Sequence, residues 1–207
     1  HLFSQGCIFD QKLLYDDFPN DYLPYDFDTY FKNPATFEMV TTNCLTGEAM
    51  YLVDKQDKQR TLDIVKASSS LPYVSKIVTV DGIPMLDGGI VDSIPVLRSI
   101  EMGHPTNVVV LTRNRGYRNT SKDYKIPRFI YKNYPRLRVA LSRRVAVYNA
   151  QLDLIEHLEN EGKIVCIRPV HPLEVDRIER DVTKLEDLYE EGFEQGELFC
   201  QQHWDKR

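Results

Sequence analysis

An α/β fold is what this sequence predicts, and three observations predict it. Apolar, β-branched runs at residues 36–44, 48–53, 74–80 and 107–112 read as strands. Leu137, Leu141, Val145, Tyr148, Leu152, Ile155 and Leu158 recur at alternating spacings of four and three, one apolar stripe along a helix. A helical stretch at 95–102 stands between strands, an order that implies a parallel, right-handed crossover with helices on both sides of the sheet. With 207 residues the chain can bury one substantial core, and nothing forces a second domain.

In chain order, short helical hints near 10–16 and 26–32 precede a break at Asn33-Pro34. The runs 36–44 and 48–53, joined by Leu45-Thr46-Gly47, form a hairpin. Leu62, Ile64, Val65 and Ala67 suit a short helix that ends at Ser68-Ser69-Ser70, whose hydroxyls are read as satisfying the last turn. The strand 74–80 turns at Asp81-Gly82, a strong hairpin signal, into a return strand 83–86. Pro95 opens a helix that Gly103 ends. The near-continuous apolar run 107–112 predicts a strand buried on both faces. The polar loop 113–125 then leaves its carboxyl end, where open α/β sheets place ligands. Residues 126–161 read as helix interrupted at Pro135 and closed by Gly162, and 164–169 as a short buried strand. Thr183, with Glu186 three residues on, fits a capping box for a last helix whose apolar face is Leu185, Leu188, Tyr189, Phe193 and Phe199.

No run approaches the roughly 18 apolar residues of a membrane span. Cys7, Cys44, Cys166 and Cys200 are widely spaced with no Cys-x-x-Cys, and read as buried thiols of a reducing compartment. The net charge of −5 hides an asymmetry. Residues 113–144 carry eleven Lys and Arg against Asp123 alone, a net of +10, so the remainder carries −15. With Tyr117, Tyr124, Phe129, Tyr131 and Tyr134 interleaved, this basic segment has three readings: a solvated face, a surface for anionic lipid, or a nucleic-acid patch that no binding motif accompanies.

The chemistry-bearing stretch is 67–95. Asp87 ends the return strand, and Gly88 and Gly89 follow it, so a carboxylate is held on a hairpin beside a gap without side chains. Ala67-Ser68-Ser69-Ser70-Leu71-Pro72, the strand pair, Asp87-Gly88-Gly89, then Asp92 and Pro95 resemble the second half of the patatin-like phospholipase family. The resemblance runs upstream through residues 40–48 and downstream through 108–113 and 184–192, closest to the bacterial members.

That resemblance implies part of a three-layer α/β/α patatin-like fold with a mixed, mostly parallel sheet and a helical C-terminal region. It makes 1–207 one partial domain, with 1–125 carrying the sheet and the Asp-Gly-Gly, and 126–207 mainly helical. It implies a lipid acyl hydrolase of Ser–Asp dyad type in which Asp87 is the general base and Gly88 and Gly89 support it. The family's Gly-x-Ser-x-Gly elbow occurs nowhere in these 207 residues. The sequence is therefore expected to be a C-terminal portion without its nucleophile, inactive alone, with an open strand edge at 107–112 that self-associates or pairs with an N-terminal segment. A non-catalytic module that binds anionic membrane or a partner through the basic surface is the rival reading.

Asp92 is the competing carboxylate, though its place before Pro95 suits loop bracing. His1, His104, His157, His171 and His203 occupy no strand–turn position beside Asp87. No cluster has metal-ligand spacing and no glycine-rich loop opens a helix, so neither metal nor cofactor is expected. A lipid ester is the expected substrate, with peripheral membrane contact, no nucleic acid and a cytoplasmic location.

Overall fold

The computed structural model describes Asp10 and residues 12–121, 126–175 and 179–203. They divide into two compact units that interleave along the chain, one from His1–Ile94 and Ser121–Tyr148, the other from Pro95–Thr120 and Asn149–Arg207.

The first unit begins with two helices, α1 (Leu13–Tyr22), wound in the wide π form, and α2 (Phe27–Lys32). Its sheet has strands β1 (Met39–Asn43), β2 (Ala49–Leu52), β3 (Val78–Val80) and β4 (Ile83–Asp87) in the order β2-β1-β4-β3, every pair antiparallel. Asp81 and Gly82 both have positive φ, 51° and 79°, the two-residue geometry whose twist matches the strands it joins. Helix α3 (Lys58–Ser68) starts where the Asp57 carboxylate accepts the Arg60 amide.

Strand alternation divides the core in two. Met85 points with Met39 and Val80 toward Ile64 and Ala67 of α3. Its neighbour Leu86 points the other way, with Cys44 and Ile90, toward Leu137 and Leu141 of helix α5 (Pro135–Asn160). Within this unit the sheet therefore lies between two helical layers, as a period of two requires of a strand buried on both faces.

The second unit contains α4 (Val96–Glu101), β5 (Asn107–Val110), the rest of α5, β6 (Ile164–Ile167) and α6 (Val182–His203). β5 and β6 pair in parallel, Asn107 opposite Ile164 and Val110 opposite Ile167. Val96, Val109, Leu111, Leu152, Ile155, Leu158 and Ile164 are buried. The α5 stripe is core as expected, its middle members Val145 and Tyr148 half-buried.

The α/β class stands, and several details differ from expectation. Parallel pairing is confined to β5–β6 among the described residues, because β4 turns back antiparallel on β1 rather than crossing over to β5. The crossover runs instead from β5 through α5 to β6. The strand expected at 74–80 shortens to three residues, since Tyr73 takes a positive φ of 71° and the chain turns through Ser75. β5 is not buried on both faces: Val108 and Val110 are 48% and 72% exposed. Residues 126–134 are irregular, with turns at 128–133, and the helix begins at Pro135, where a missing N–H costs nothing. The last helix is capped two residues earlier than expected, the Asp181 carboxylate accepting the Thr183 amide at 3.0 Å. None of the residues of α6 is buried. Of its expected apolar face, Leu185, Tyr189 and Phe193 are exposed. Cys44 is buried, but Cys166 is half-buried and Cys200 exposed, and Cys7 lies outside the described residues. Among those residues no helix is long and apolar enough to cross a membrane.

A candidate active site at Asp87

Asp87 stands at the last position of β4 and is held from three sides. Its amide donates to the Ser70 carbonyl at 2.9 Å, and its own carbonyl accepts the Thr42 hydroxyl at 2.7 Å. Its Oδ1 accepts the Gly89 amide at 2.6 Å, which closes the short 3₁₀ turn Gly88–Ile90. Oδ2 has no hydrogen-bond partner among the described residues, so one lone-pair edge of the carboxylate stays available.

The two glycines do different work. A Cβ on Gly88 would sit 2.4 Å from the Val40 carbonyl oxygen and 2.8 Å from the Val40 Cβ, so β1 admits no side chain there. A Cβ on Gly89 would come within 2.9 Å of Asp87 Oδ1, so the second glycine leaves room for the anchored oxygen.

Burial pushes the Asp87 carboxyl above its ordinary value, against the pull of the Gly89 amide and the positive charge of Arg144. Arg144, on α5, donates from Nε to the Gly89 carbonyl at 2.9 Å, and the Ser93 hydroxyl reaches the same oxygen at 2.9 Å. Two donors thus hold the Gly89 carbonyl.

The competing groups are accounted for by their own partners. Asp92 Oδ2 accepts the Tyr51 hydroxyl of β2 at 2.6 Å, the bracing role expected of it. Ser68 donates to Val40 O at 2.8 Å, Ser69 to Val65 O at 2.6 Å and Ser70 to Lys66 O at 2.7 Å. Each hydroxyl is spent on a main-chain carbonyl. Ser70 nevertheless belongs to the site through its backbone, which positions Asp87. His104, His157, His171 and His203 all fall in the second unit, and among the described residues of the first unit there is no His.

The basic segment is divided between the two units. In the second unit Arg118 pairs with Asp153 at 2.5 Å and Glu156 at 3.0 Å, and Arg115 with Glu159 at 3.4 Å. In the first, Arg138 donates to Ile126 O and Arg144 to Gly89 O. Lys122, Asp123, Tyr124 and Lys125 lie outside the described residues.

Arg144 and Thr42 are site residues that sequence reasoning missed. Arg144 was visible only as one charge among eleven, yet it sits three positions after Leu141 and four before Tyr148, beside the buried stripe. That spacing could have marked it as turned toward the sheet.

Two families match the chain. Residues 1–99 match the patatin-like phospholipases, and residues 134–205 match a domain of unknown function. An uncharacterized Escherichia coli (strain K12) protein, YjjU, is 45% identical over 56 residues, which is 27% of this chain and 16% of that protein.

Proposed function

We propose, from the premise that the first 99 residues are patatin-like, that this chain supplies the general base of a lipid acyl hydrolase. The observation that carries the reading is Asp87: a partly desolvated carboxylate with one oxygen anchored by the Gly89 amide and the other without a partner among the described residues. Desolvation is what such a base needs, because a solvated carboxylate is too weak to draw a proton from an alcohol.

In the proposed reaction, Asp87 Oδ2 accepts the proton of a serine hydroxyl as that oxygen attacks the ester carbonyl carbon. The tetrahedral intermediate collapses, the ester C–O bond breaks, and the leaving alkoxide takes the proton from Asp87. Water then repeats the sequence, giving its proton to Asp87 as it attacks the acyl-serine, and the released acid carries the acyl group away. The serine belongs to a Gly-x-Ser-x-Gly elbow, which these 207 residues do not contain. Gly88 lets the turn pack directly on β1, and Arg144 and Ser93 hold the Gly89 carbonyl so that Oδ2 keeps its aim. The substrate class is a lipid ester, met at the membrane surface by a cytoplasmic protein.

The test is Asp87→Asn in the protein as the cell makes it. Hydrolysis of a p-nitrophenyl ester should fall by about 10²–10⁴-fold, the usual contribution of a general base, while Asp92→Asn should leave at least a tenth of the rate. Full turnover by the Asp87 variant would end the assignment.

A further inference from the structure

A second feature of the first unit points to what the site selects. Beside the Asp-Gly-Gly turn lies a hollow of about 310 Å³ lined by Thr46, Gly47, Ile90, Val91 and, on α5, Arg136, Val139, Ala140, Arg143 and Val147. Among the described residues no acidic side chain lines it. Neither Arg136 nor Arg143 has an ion pair or hydrogen bond to any described residue, unlike Arg115, Arg118, Arg138 and Arg144. They stand two helical turns apart on one side of α5, with Val139 and Ala140 between them.

The hollow is built rather than accidental. The turn at Gly47, φ 70°, seats so closely on the start of α5 that a Cβ there would lie 2.7 Å from the Arg136 carbonyl oxygen. Arg143 is followed directly by Arg144, whose guanidinium holds the Gly89 carbonyl. Ile90, in the hollow wall, is the next residue after Gly89. The hollow and Asp87 thus share one short, fixed piece of main chain.

We infer that this hollow is a headgroup site for an anionic phospholipid, its phosphate paired with Arg136 and Arg143 and its glycerol lying on Ile90, Val91, Val139 and Val147. Guanidinium is the side chain best matched to phosphate oxygens. The apolar wall distinguishes a lipid phosphate from a free one, because inorganic phosphate gains nothing from it. At this volume the hollow takes a headgroup and glycerol rather than two acyl chains. The inference rests on the proposed hydrolase reading for its purpose, but its test does not use turnover.

The test is calorimetric titration of the protein, as the cell makes it, with ether-linked dihexyl phosphatidylglycerol and phosphatidylcholine below their micelle concentrations, and with inorganic phosphate. Ether lipids have no ester to cleave, so a failure here is separate from a failure of Asp87 as base. Phosphatidylglycerol should bind at least tenfold more tightly than phosphatidylcholine. Arg136→Gln with Arg143→Gln should abolish that preference, and Arg143→Lys should retain most of it. Should the double variant melt early, Arg143→Gln alone decides, with at least a threefold loss expected. Equal binding of the two lipids, or a preference that survives both substitutions, overturns the inference. Inorganic phosphate binding as tightly as phosphatidylglycerol also overturns it, leaving a plain anion site.

Discussion

The two units are built from the same kinds of element and bury them differently. In the first, β4 sends Met85 and Leu86 to opposite faces and both are fully buried, because α3 closes one face and the start of α5 the other. In the second, β5 buries Val109 but leaves Val108 and Val110 exposed, and α6 has no buried residue at all. The difference teaches where rigidity has been invested. The carboxylate, its anchoring amide and the arginine behind it are all in the closed unit, where a displaced backbone would be costly. The open unit offers surface instead.

Thiol reactivity should show the contrast most strongly. Burial pushes the Cys44 thiol up to about 12, which leaves a thiolate fraction on the order of 10⁻⁵ at pH 7. Cys200, in the second unit, is exposed. With Ellman's reagent at neutral pH, Cys200 should react on the order of 10³ times faster than Cys44, each site read by peptide mass spectrometry. Comparable rates would mean that the first unit opens readily and would erase the distinction.

Core truncation should come next. Leu86→Ala should lower unfolding free energy by about 2–5 kcal/mol, whereas Leu185→Ala on α6 should change it by no more than about 0.5 kcal/mol. Urea denaturation of both variants measures the pair. Equal losses would show that α6 is covered in solution.

The same chemical change should then have opposite signs in the two units. Gly88→Ala forces a methyl against the β1 backbone and should destabilise by about 1–3 kcal/mol. Gly196→Ala, on α6, meets no atom within 4 Å and should stabilise by about 0.5–1 kcal/mol through helix propensity. Thermal melts that move in the same direction would refute the contrast.

The smallest effect concerns pH. A folded-state pKa raised above the ordinary value of about 3.9 means that the native state holds the Asp87 proton more tightly than the unfolded chain does. The stability this contributes is complete below the unfolded pKa and is lost as pH rises through the folded one. Asp87→Asn, which keeps the Gly89 bond, should therefore be at least as stable as the parent at neutral pH. Arg144→Gln removes a charge that opposes the shift, so the acid limb of the pH–rate profile should move upward. A limb that stays in place would show that burial alone sets it.

Much of the first unit was legible because its signals are local. Asp81-Gly82 fixes a turn whatever surrounds it, and the period-two alternation of Met85 and Leu86 fixes which faces they take. The α5 stripe was equally plain, since seven residues at helical spacing leave little choice. What stayed hidden depends on distant partners. Nothing within residues 107–112 says that only one face is covered, because three valines in succession are silent about what packs on them. Nor does the order β4–α4–β5 say that the strands part company, since that is decided when β4 pairs with β1. In the site, Asp87-Gly88-Gly89 could be read directly, whereas Thr42 and Arg144 reach it from 45 and 55 residues away.

Interleaving has a consequence for how the chain is made. The face that carries Leu86, Cys44 and Ile90 is closed by Leu137 and Leu141, which leave the ribosome about fifty residues later. At about 5–20 residues per second, that is an interval of roughly 3–10 s in which one side of the nascent sheet has no cover. The first unit cannot fold as its residues emerge, and neither unit could be released intact by a single proteolytic cut. For those seconds an apolar sheet face is displayed to whatever is near, so chaperone demand should track the arrival of α5 rather than the completion of the strands.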